Sequence, residues 1–215
     1  FELVQERLTH WYVHEQEDLL KGMWILATYQ YPDLEYDQLT KKIEQLYREI
    51  WTQLGADLLP FDQIKTINSM LFEKYKFRAN TKNFHAPGNS MINIVLESFK
   101  GNPISLSTLY LLIAQKLELP IFGVNLPNLF VLTYKTEKLQ FYINVFNRGL
   151  IFSKEDIDNY ITQLQLMPQN EYFEPCDHGQ IIKRSLRNLI VAFDKIGDYH
   201  KSDEVKKLVS LITGI

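Results

Sequence analysis

The chain has 215 residues, a formal net charge of -3, a hydrophobic fraction of 46% and a single cysteine. This length predicts one large domain, which can bury an adequate core without a metal or a disulfide. The charge argues against an overall basic field for nucleic-acid binding. The one cysteine excludes an internal disulfide and a zinc site built on several thiolates.

No run of residues approaches the about 18 apolar residues that a membrane span needs. We therefore expect a cytoplasmic protein with no membrane partner. Export stays open as an alternative, because the chain begins at Phe1 rather than at a methionine. Basic residues are scattered among acidic ones, apart from the pairs Lys183-Arg184 and Lys206-Lys207, which indicate ordinary solvated surface. We therefore expect no nucleic-acid partner.

Helices dominate the prediction for the first hundred residues. Apolar residues at helical spacing predict a helix over 3–31, a second over 34–54 with Asp33 as its N-cap, and a third after Asp62. A polar loop over 78–90 and a short helix over 90–99 follow.

The middle of the chain predicts a buried helix over residues 104–117. Asn102 is a good N-cap, and Pro103 fits the first helical position, where a missing N–H costs nothing. Apolar residues occur on almost every side of this segment, so it has no face for water. We therefore expect it to be the core helix.

Four short segments rich in Val, Ile, Phe and Tyr predict strands over 121–124, 130–134, 139–145 and 150–152. Their connections are too short for parallel pairing, so the predicted sheet is antiparallel. Ser153 and Asp156 predict a capping box that opens a helix to about residue 166.

The end of the chain predicts a loop over 167–180 and then two apolar stripes, over 181–196 and 205–212, which a Gly197-Asp198 turn separates. Two such helices form an antiparallel hairpin. The predicted fold class is therefore α+β. It comprises a helical N-terminal region over 1–88, a core over 89–166 and a helical hairpin over 167–215, joined in one compact unit.

Cys176 is one candidate catalytic group, because it precedes a helix and lies next to Asp177 and His178. A helix N-terminus can lower the pKa of a thiol. The alternative is an ordinary loop cysteine beside a helix cap, since residues two apart rarely meet as nucleophile and base. Ser105, in the first turn of the core helix, lacks a base and favours a local bond to the backbone.

His10 and His14 are four residues apart on a predicted helix, so both rings could reach one metal ion. The glutamate that follows the first histidine of a metalloprotease helix is missing. The sequence favours the alternative of an exposed histidine pair, and we expect neither a metal nor another cofactor.

Several ordered runs of the sequence resemble a known family: NSMINIVLE at 89–97, KGNPISL at 100–106, GVNLP at 123–127 and FNRG at 146–149. Together they resemble the SirB-like branch of the transglutaminase-core superfamily, which is found widely in bacteria and has a tetratricopeptide-like C-terminal tail. The resemblance implies a papain-like α+β core over 89–166, in which a buried helix packs on a small antiparallel sheet.

In active members of that superfamily, a cysteine starts the helix, and a histidine and an aspartate come from successive strands. The resemblance puts Pro103 at the cysteine position, Leu129 at the histidine position and Asn144 at the aspartate position. Proline has no nucleophile, leucine cannot accept a proton, and asparagine lacks the charge that stabilises an imidazolium. The resemblance therefore implies a pseudoenzyme.

The function expected from the sequence is a non-catalytic module that binds a protein or peptide or serves as a scaffold. The cleft that corresponds to the active site of the catalytic members is either filled by Leu129 and nearby aromatic residues or used for binding a partner. Polar side chains that could line it are Ser105, Asn125, Asn128, Asn144, Asn147 and Arg148. The competing hypothesis is an enzyme with a relocated site, at Cys176 and His178 or at the histidine pair. The sequence does not indicate an oligomeric state or a pathway.

Overall fold

The structure, a computed structural model, describes residues 1–55 and 57–214. Its α-helices are α1 (Glu2–His14), α2 (Leu19–Thr28), α3 (Tyr36–Trp51), α4 (Pro60–Asn68), α5 (Ile92–Ser98), α6 (Pro103–Lys116), α7 (Lys154–Gln163), α8 (His178–Lys195) and α9 (Tyr199–Thr213). Its strands are β1 (Arg78–Ala79), β2 (Lys100–Gly101), β3 (Ile121–Leu126), β4 (Leu129–Lys135), β5 (Gln140–Asn144) and β6 (Leu150–Phe152). The predicted α+β class is confirmed.

Strands β3 to β6 form an antiparallel sheet in chain order. Ile121 lies opposite Tyr134, and Leu132 lies opposite Ile143. This order follows from the short connections that the sequence indicated. The parallel pair β1–β2 was not predicted, because a strand of two residues carries no alternation to detect.

Helix α6 is buried from Ile104 to Ala114, as predicted. It packs on one face of the sheet, where Phe130 and Leu132 of β4 enter the same core cluster. The residue between them, Val131, points to the opposite face, as the alternation of a strand requires. There it joins a second, smaller core with residues of α7, so the sheet lies between two helical layers.

The larger core draws on all parts of the chain. Trp11 of α1, Tyr110 of α6 and Phe193 of α8 are all buried members of it. Helices α8 and α9 pack on each other, and α9 also packs on α1. The beginning and the end of the described chain therefore lie side by side.

The helix predicted over 3–31 is two helices, which is a correction. Asp18 interrupts it: its carboxylate accepts from the backbone N–H of Lys21 at 2.9 Å, and its carbonyl accepts from the Trp11 ring at 2.8 Å. A Cβ on Gly22 would lie 2.7 Å from that ring, so glycine lets α2 approach α1 closely. The prediction missed the break because the apolar residues on both sides have helical spacing, although residues 14–18 between them are all polar.

Two predicted helix starts also need correction. Helix α3 begins at Tyr36 with Glu35 at its N-cap, so Asp33 lies in the preceding turn. Helix α4 begins at Pro60, so Asp62 lies in its first turn instead of preceding it. Helix α9 begins at Tyr199, directly after the predicted Gly197-Asp198 turn, and the Asp198 carboxylate caps it by accepting from the Lys201 N–H at 3.2 Å. After α4, a π-helical turn over Ser69–Lys74 was not predicted.

Asn68 connects three parts of the fold. Its side-chain amide donates to the Gly149 carbonyl at 2.9 Å, and its oxygen accepts from the hydroxyl of Tyr110 at 3.1 Å. Gly149 has a φ of +74°, and a Cβ there would lie 2.0 Å from the Asn68 oxygen. The glycine is therefore required both for its backbone angle and for the close approach of Asn68.

Replacing Gly149 with alanine should lower the free energy of unfolding by about 2–4 kcal/mol, because strain at positive φ and a steric clash act together. The matched control is Gly197→Ala, at a φ of +79° with no atom within 4 Å of the added Cβ. It should cost only about 1 kcal/mol. Urea unfolding of both variants measures the difference, and equal losses would contradict the role of the Asn68 contact.

Candidate functional site

A cavity of about 430 Å³ lies over the N-terminus of α6, and we call it the α6 cavity. Its floor is Asn102, Pro103 and Ile104. Three further walls surround it: Phe84, His85, Ala86 and Ser90 of the preceding loop, Asn128 and Phe130 of the β3–β4 hairpin, and Arg184, Arg187, Asn188, Val191 and Ala192 of α8. This volume is in the lower part of the range for small-ligand sites.

The floor of the α6 cavity is built from a closed helix start. The Asn102 side chain accepts from the N–H of Ser105 at 2.9 Å, and the Ser105 hydroxyl accepts from the N–H of Asn102 at 3.0 Å. Pro103 has no N–H to offer. The capping box therefore uses the N–H groups of Asn102 and Ser105 and also engages the Ser105 hydroxyl.

Hydrogen bonds of buried side chains hold the loop wall of the cavity in place. The amide of Asn102 donates to the buried Ser90 hydroxyl at 2.9 Å. Asn89, also buried, donates to the carbonyls of Asn83 and Phe84 at 2.7 and 2.9 Å. These bonds hold the exposed Phe84 ring at the rim of the cavity, where it meets Phe146 edge-to-face.

Arg184 fastens the helical wall to the hairpin. One of its terminal nitrogens donates to the Asn125 side chain at 2.6 Å and to the Leu126 carbonyl at 2.9 Å. Burial, and then the nearby Arg187 guanidinium, lower the pKa of Arg184 below its ordinary value. The prediction that Lys183-Arg184 is solvated surface is wrong for Arg184, because packing of α8 on β3 covers much of that side chain.

The α6 cavity is cationic. Arg184 and Arg187 line it, and among residues 1–55 and 57–214 no aspartate or glutamate does. Neither arginine forms an ion pair with a described residue. Because the chain as a whole is acidic, this local positive charge contrasts with the rest of the protein.

The profile of one protein family, described as transglutaminase-like superfamily, matches residues 37–187. The chain belongs to the transglutaminase-like superfamily. The match extends from α3 to the middle of α8, and so it includes both arginines of the α6 cavity.

Curated proteins similar to this superfamily member come from bacteria and mammals. A UPF0162 protein of Xylella fastidiosa is 26% identical over 204 residues, which are 89% of this chain and 72% of the relative. A UPF0162 protein of Pasteurella multocida is 30% identical over 107 residues, 50% of this chain and 40% of its own. F-box only protein 21 of Mus musculus is 35% identical over 71 residues, which are 33% of this chain and 11% of that protein. No solved structure matches at a significant level.

The structure does not bring the three residues assigned to the superfamily's catalytic positions together around the cavity. Pro103 is in its floor. Leu129 packs instead against the smaller core on the far side of the sheet. The Asn144 side chain accepts from the N–H of Asn147 at 3.2 Å and caps a short 3₁₀ turn. Leu129 therefore does not fill the cavity.

The polar residues expected to line a cleft occupy different places. Asn128 lines the α6 cavity from a turn with a φ of +60°. Ser105 is fully buried in the capping box beneath it, and Asn125 holds Arg184. Asn147 and Arg148 are exposed in the connection that leads to β6.

Cys176 and His178 do not form a nucleophile–base pair. Both ring nitrogens of His178 are engaged, one at 2.7 Å from the Gln16 carbonyl and one at 2.9 Å from the Gln115 amide. A carbonyl can only accept, so the first nitrogen donates and the second is left to accept from Gln115. Burial, and then the Asp177 carboxylate, raise the pKa of Cys176 to about 12.

His10 and His14 lie on the exposed side of α1 with their ring centroids 5.0 Å apart. The nearest carboxylate, Glu15, has its Oε1 3.8 Å from His10 but 2.7 Å from the Lys21 ammonium. Within the part of the chain that the structure describes, no group of three or more His, Cys, Asp or Glu side chains could hold a metal ion. In that same part, no helix is long and apolar enough to cross a membrane.

Sequence reasoning missed the α8 wall. Arg184, Arg187, Asn188, Val191 and Ala192 follow helical spacing and form one stripe beside the apolar stripe that was recognised. The pattern was visible, but a polar stripe on a helix predicts solvent exposure as readily as a site. Only the packing of α8 over the start of α6 distinguishes the two.

Alkylation of Cys176 by iodoacetamide should be slow at neutral pH. Only the thiolate reacts, so the rate should rise about tenfold per pH unit up to at least about pH 10. The same chain unfolded in guanidinium chloride is the control, and its rate should level off above an ordinary pKa of about 8.5. A plateau below about pH 9 in the folded protein would contradict the raised pKa of the Cys176 thiol and would favour the hypothesis of a relocated site.

Proposed function

We propose that this superfamily member is a non-catalytic binding module that holds a peptide segment of a partner protein in the α6 cavity. The observation that supports it most is the chemistry of the cavity. Arginine and asparagine side chains of α8 line it beside apolar ones, while the start of α6 carries Pro103. Such a surface offers hydrogen bonds, charge and apolar contact, but no nucleophile activated by a base.

The one hydroxyl among the lining side chains, that of Ser90, does not alter this proposal. It is buried and accepts a hydrogen bond from Asn102. No hydrogen bond joins it to His85 among the described residues, and that histidine is exposed with its ring packed edge-to-face on Phe84. A serine nucleophile requires a base within hydrogen-bond reach.

We also propose that the chain belongs to the SirB-like branch of the superfamily and that α8 and α9 are a tetratricopeptide-like tail. The ordered runs from Asn89 to Gly149 support the branch. The close packing of α8 on α9, two helices joined by a short turn, supports the tail. The division at residues 88 and 166 describes segments of one unit, because buried residues of all three share a core.

Selection of random peptides on the immobilised protein tests the binding function. The blocking variant is Val191→Trp, which adds bulk to an exposed residue of the cavity wall. The control is Ile196→Trp, at an exposed residue beyond the end of α8 and outside the cavity. Selected peptides should bind the control within about twofold of the original chain. Their affinity for the blocked variant should be lower by at least about tenfold.

Absence of enriched peptides, or equal binding by the blocked variant, would contradict the proposal. A separate measurement tests the part of the proposal that denies catalysis. After prolonged incubation, mass spectrometry of the selected peptides should find neither hydrolysis nor exchange of an amide for an added amine. Turnover that Val191→Trp abolishes would overturn this half of the proposal and leave the peptide-binding site standing.

A further inference from the structure

We infer that the α6 cavity selects a carboxylate that a peptide carries beside an apolar side chain, with Arg187 and Asn188 as its direct partners. This inference rests on the proposed peptide-binding function and deepens it. The two side chains are neighbours on the stripe of α8 that lines the cavity.

The α6 cavity carries positive charge that no described carboxylate offsets. Two guanidinium groups line the cavity, and no described carboxylate lines it or pairs with them. The proximity of Arg187 disfavours the charged form of Arg184, so an anion placed between them would relieve their repulsion. No described side chain supplies the negative charge that would offset these two guanidinium groups, so we expect the ligand to supply it.

The two arginines have different roles in this inference, because their contacts differ. Arg184 already donates to Asn125 and Leu126 and is held in the wall. It contributes positive charge and positions the helix. Arg187 is exposed and has no hydrogen-bonded partner among the described residues, so its planar fork of donors is available. A guanidinium fork matches the two oxygens of a carboxylate.

The floor favours a carboxylate over a phosphate. Phosphate sites at helix starts use several backbone N–H groups that point at the ligand. Here the capping box uses the N–H groups of Asn102 and Ser105, and Pro103 has none, so Ile104 supplies the one N–H of this turn that the cap does not use. A planar anion that needs one side-chain fork fits this supply of donors better than a phosphate group.

Apolar residues surround the cationic stripe. Ile104 and Phe130 lie in the buried part of the cavity, and Phe84 and Val191 are exposed at its rim. Removal of their apolar surface from water would add to binding. The expected ligand therefore has an apolar side chain next to its carboxylate, either at a peptide C-terminus or on an internal acidic residue.

Two pairs of short peptides test the inference by NMR titration of the labelled protein. The first pair is N-acetyl-Leu-Phe as the free acid and as the C-terminal amide. The second is N-acetyl-Leu-Asp-Leu amide and its Leu-Asn-Leu counterpart. We expect the acid of at least one pair to bind about tenfold more tightly than its neutral partner. Which pair discriminates identifies the source of the carboxylate.

The variant Arg187→Gln should abolish that preference, and Arg187→Lys should retain only part of it, because lysine keeps the charge without the fork. The matched control is Arg78→Gln, which removes an exposed arginine outside the cavity and should leave the preference intact. Thermal unfolding of the three variants verifies that each is folded.

The outcomes separate the inference from the function on which it rests. A further probe is N-acetyl-Leu-phosphoserine-Leu amide. Equal binding of acid and neutral peptides, or tighter binding of this phosphopeptide than of either acid, would overturn the carboxylate inference and leave peptide binding standing. A preference that survives in Arg187→Gln would overturn the role of Arg187. If neither these probes nor any library peptide binds in a way that Val191→Trp weakens, the peptide-binding function itself fails.

Discussion

Burial of α6 on all sides is the constraint on which the rest of this structure depends. A buried helix can satisfy its polar groups only within the protein, and each buried group left without a partner costs about 1–3 kcal/mol. The Ser107 hydroxyl of α6 is such a group among the described residues. Two solutions tie distant parts of the chain to α6. The Asn102 cap also binds Ser90 and fixes the preceding loop. The Tyr110 hydroxyl binds Asn68, which in turn requires glycine at position 149. The sheet, α3, α5 and α8 then cover the remaining surface of the helix.

The α6 cavity is a consequence of this arrangement. The loop, the β3–β4 hairpin and α8 all converge where α6 begins, and the closed capping box forms the polar part of the floor. Arg184 bridges α8 to the hairpin, so the wall that carries Arg187 is held against the sheet by hydrogen bonds rather than by apolar packing alone. A rigid wall of this kind orders binding groups in advance, which reduces the entropy lost when a ligand binds.

Membership of the transglutaminase-like superfamily gives this cavity its context, but function depends on the side chains present. The start of the buried helix carries a proline, and residues 129 and 144 point away from the cavity or cap a turn. Arginine, asparagine and aromatic side chains line the cavity at this end of the helix. Our proposal of a binding module follows from those residues and not from the fold.

The amino-acid sequence by itself determined the fold class, the start of α6 at Asn102-Pro103, the antiparallel sheet and the helical hairpin. These are local matters, because caps, turns and apolar periodicity act within a few residues of one another. The break between α1 and α2 and the walls of the cavity were decided only by tertiary structure. The break depends on the bond between Trp11 and Asp18 and on the contact of Trp11 with Gly22. The cavity depends on residues some forty to one hundred positions apart in the chain, such as Phe84, Asn128 and Arg187. A polar stripe on a helix looks the same in sequence whether it faces water or a cavity, and only the packing of that helix tells the two apart.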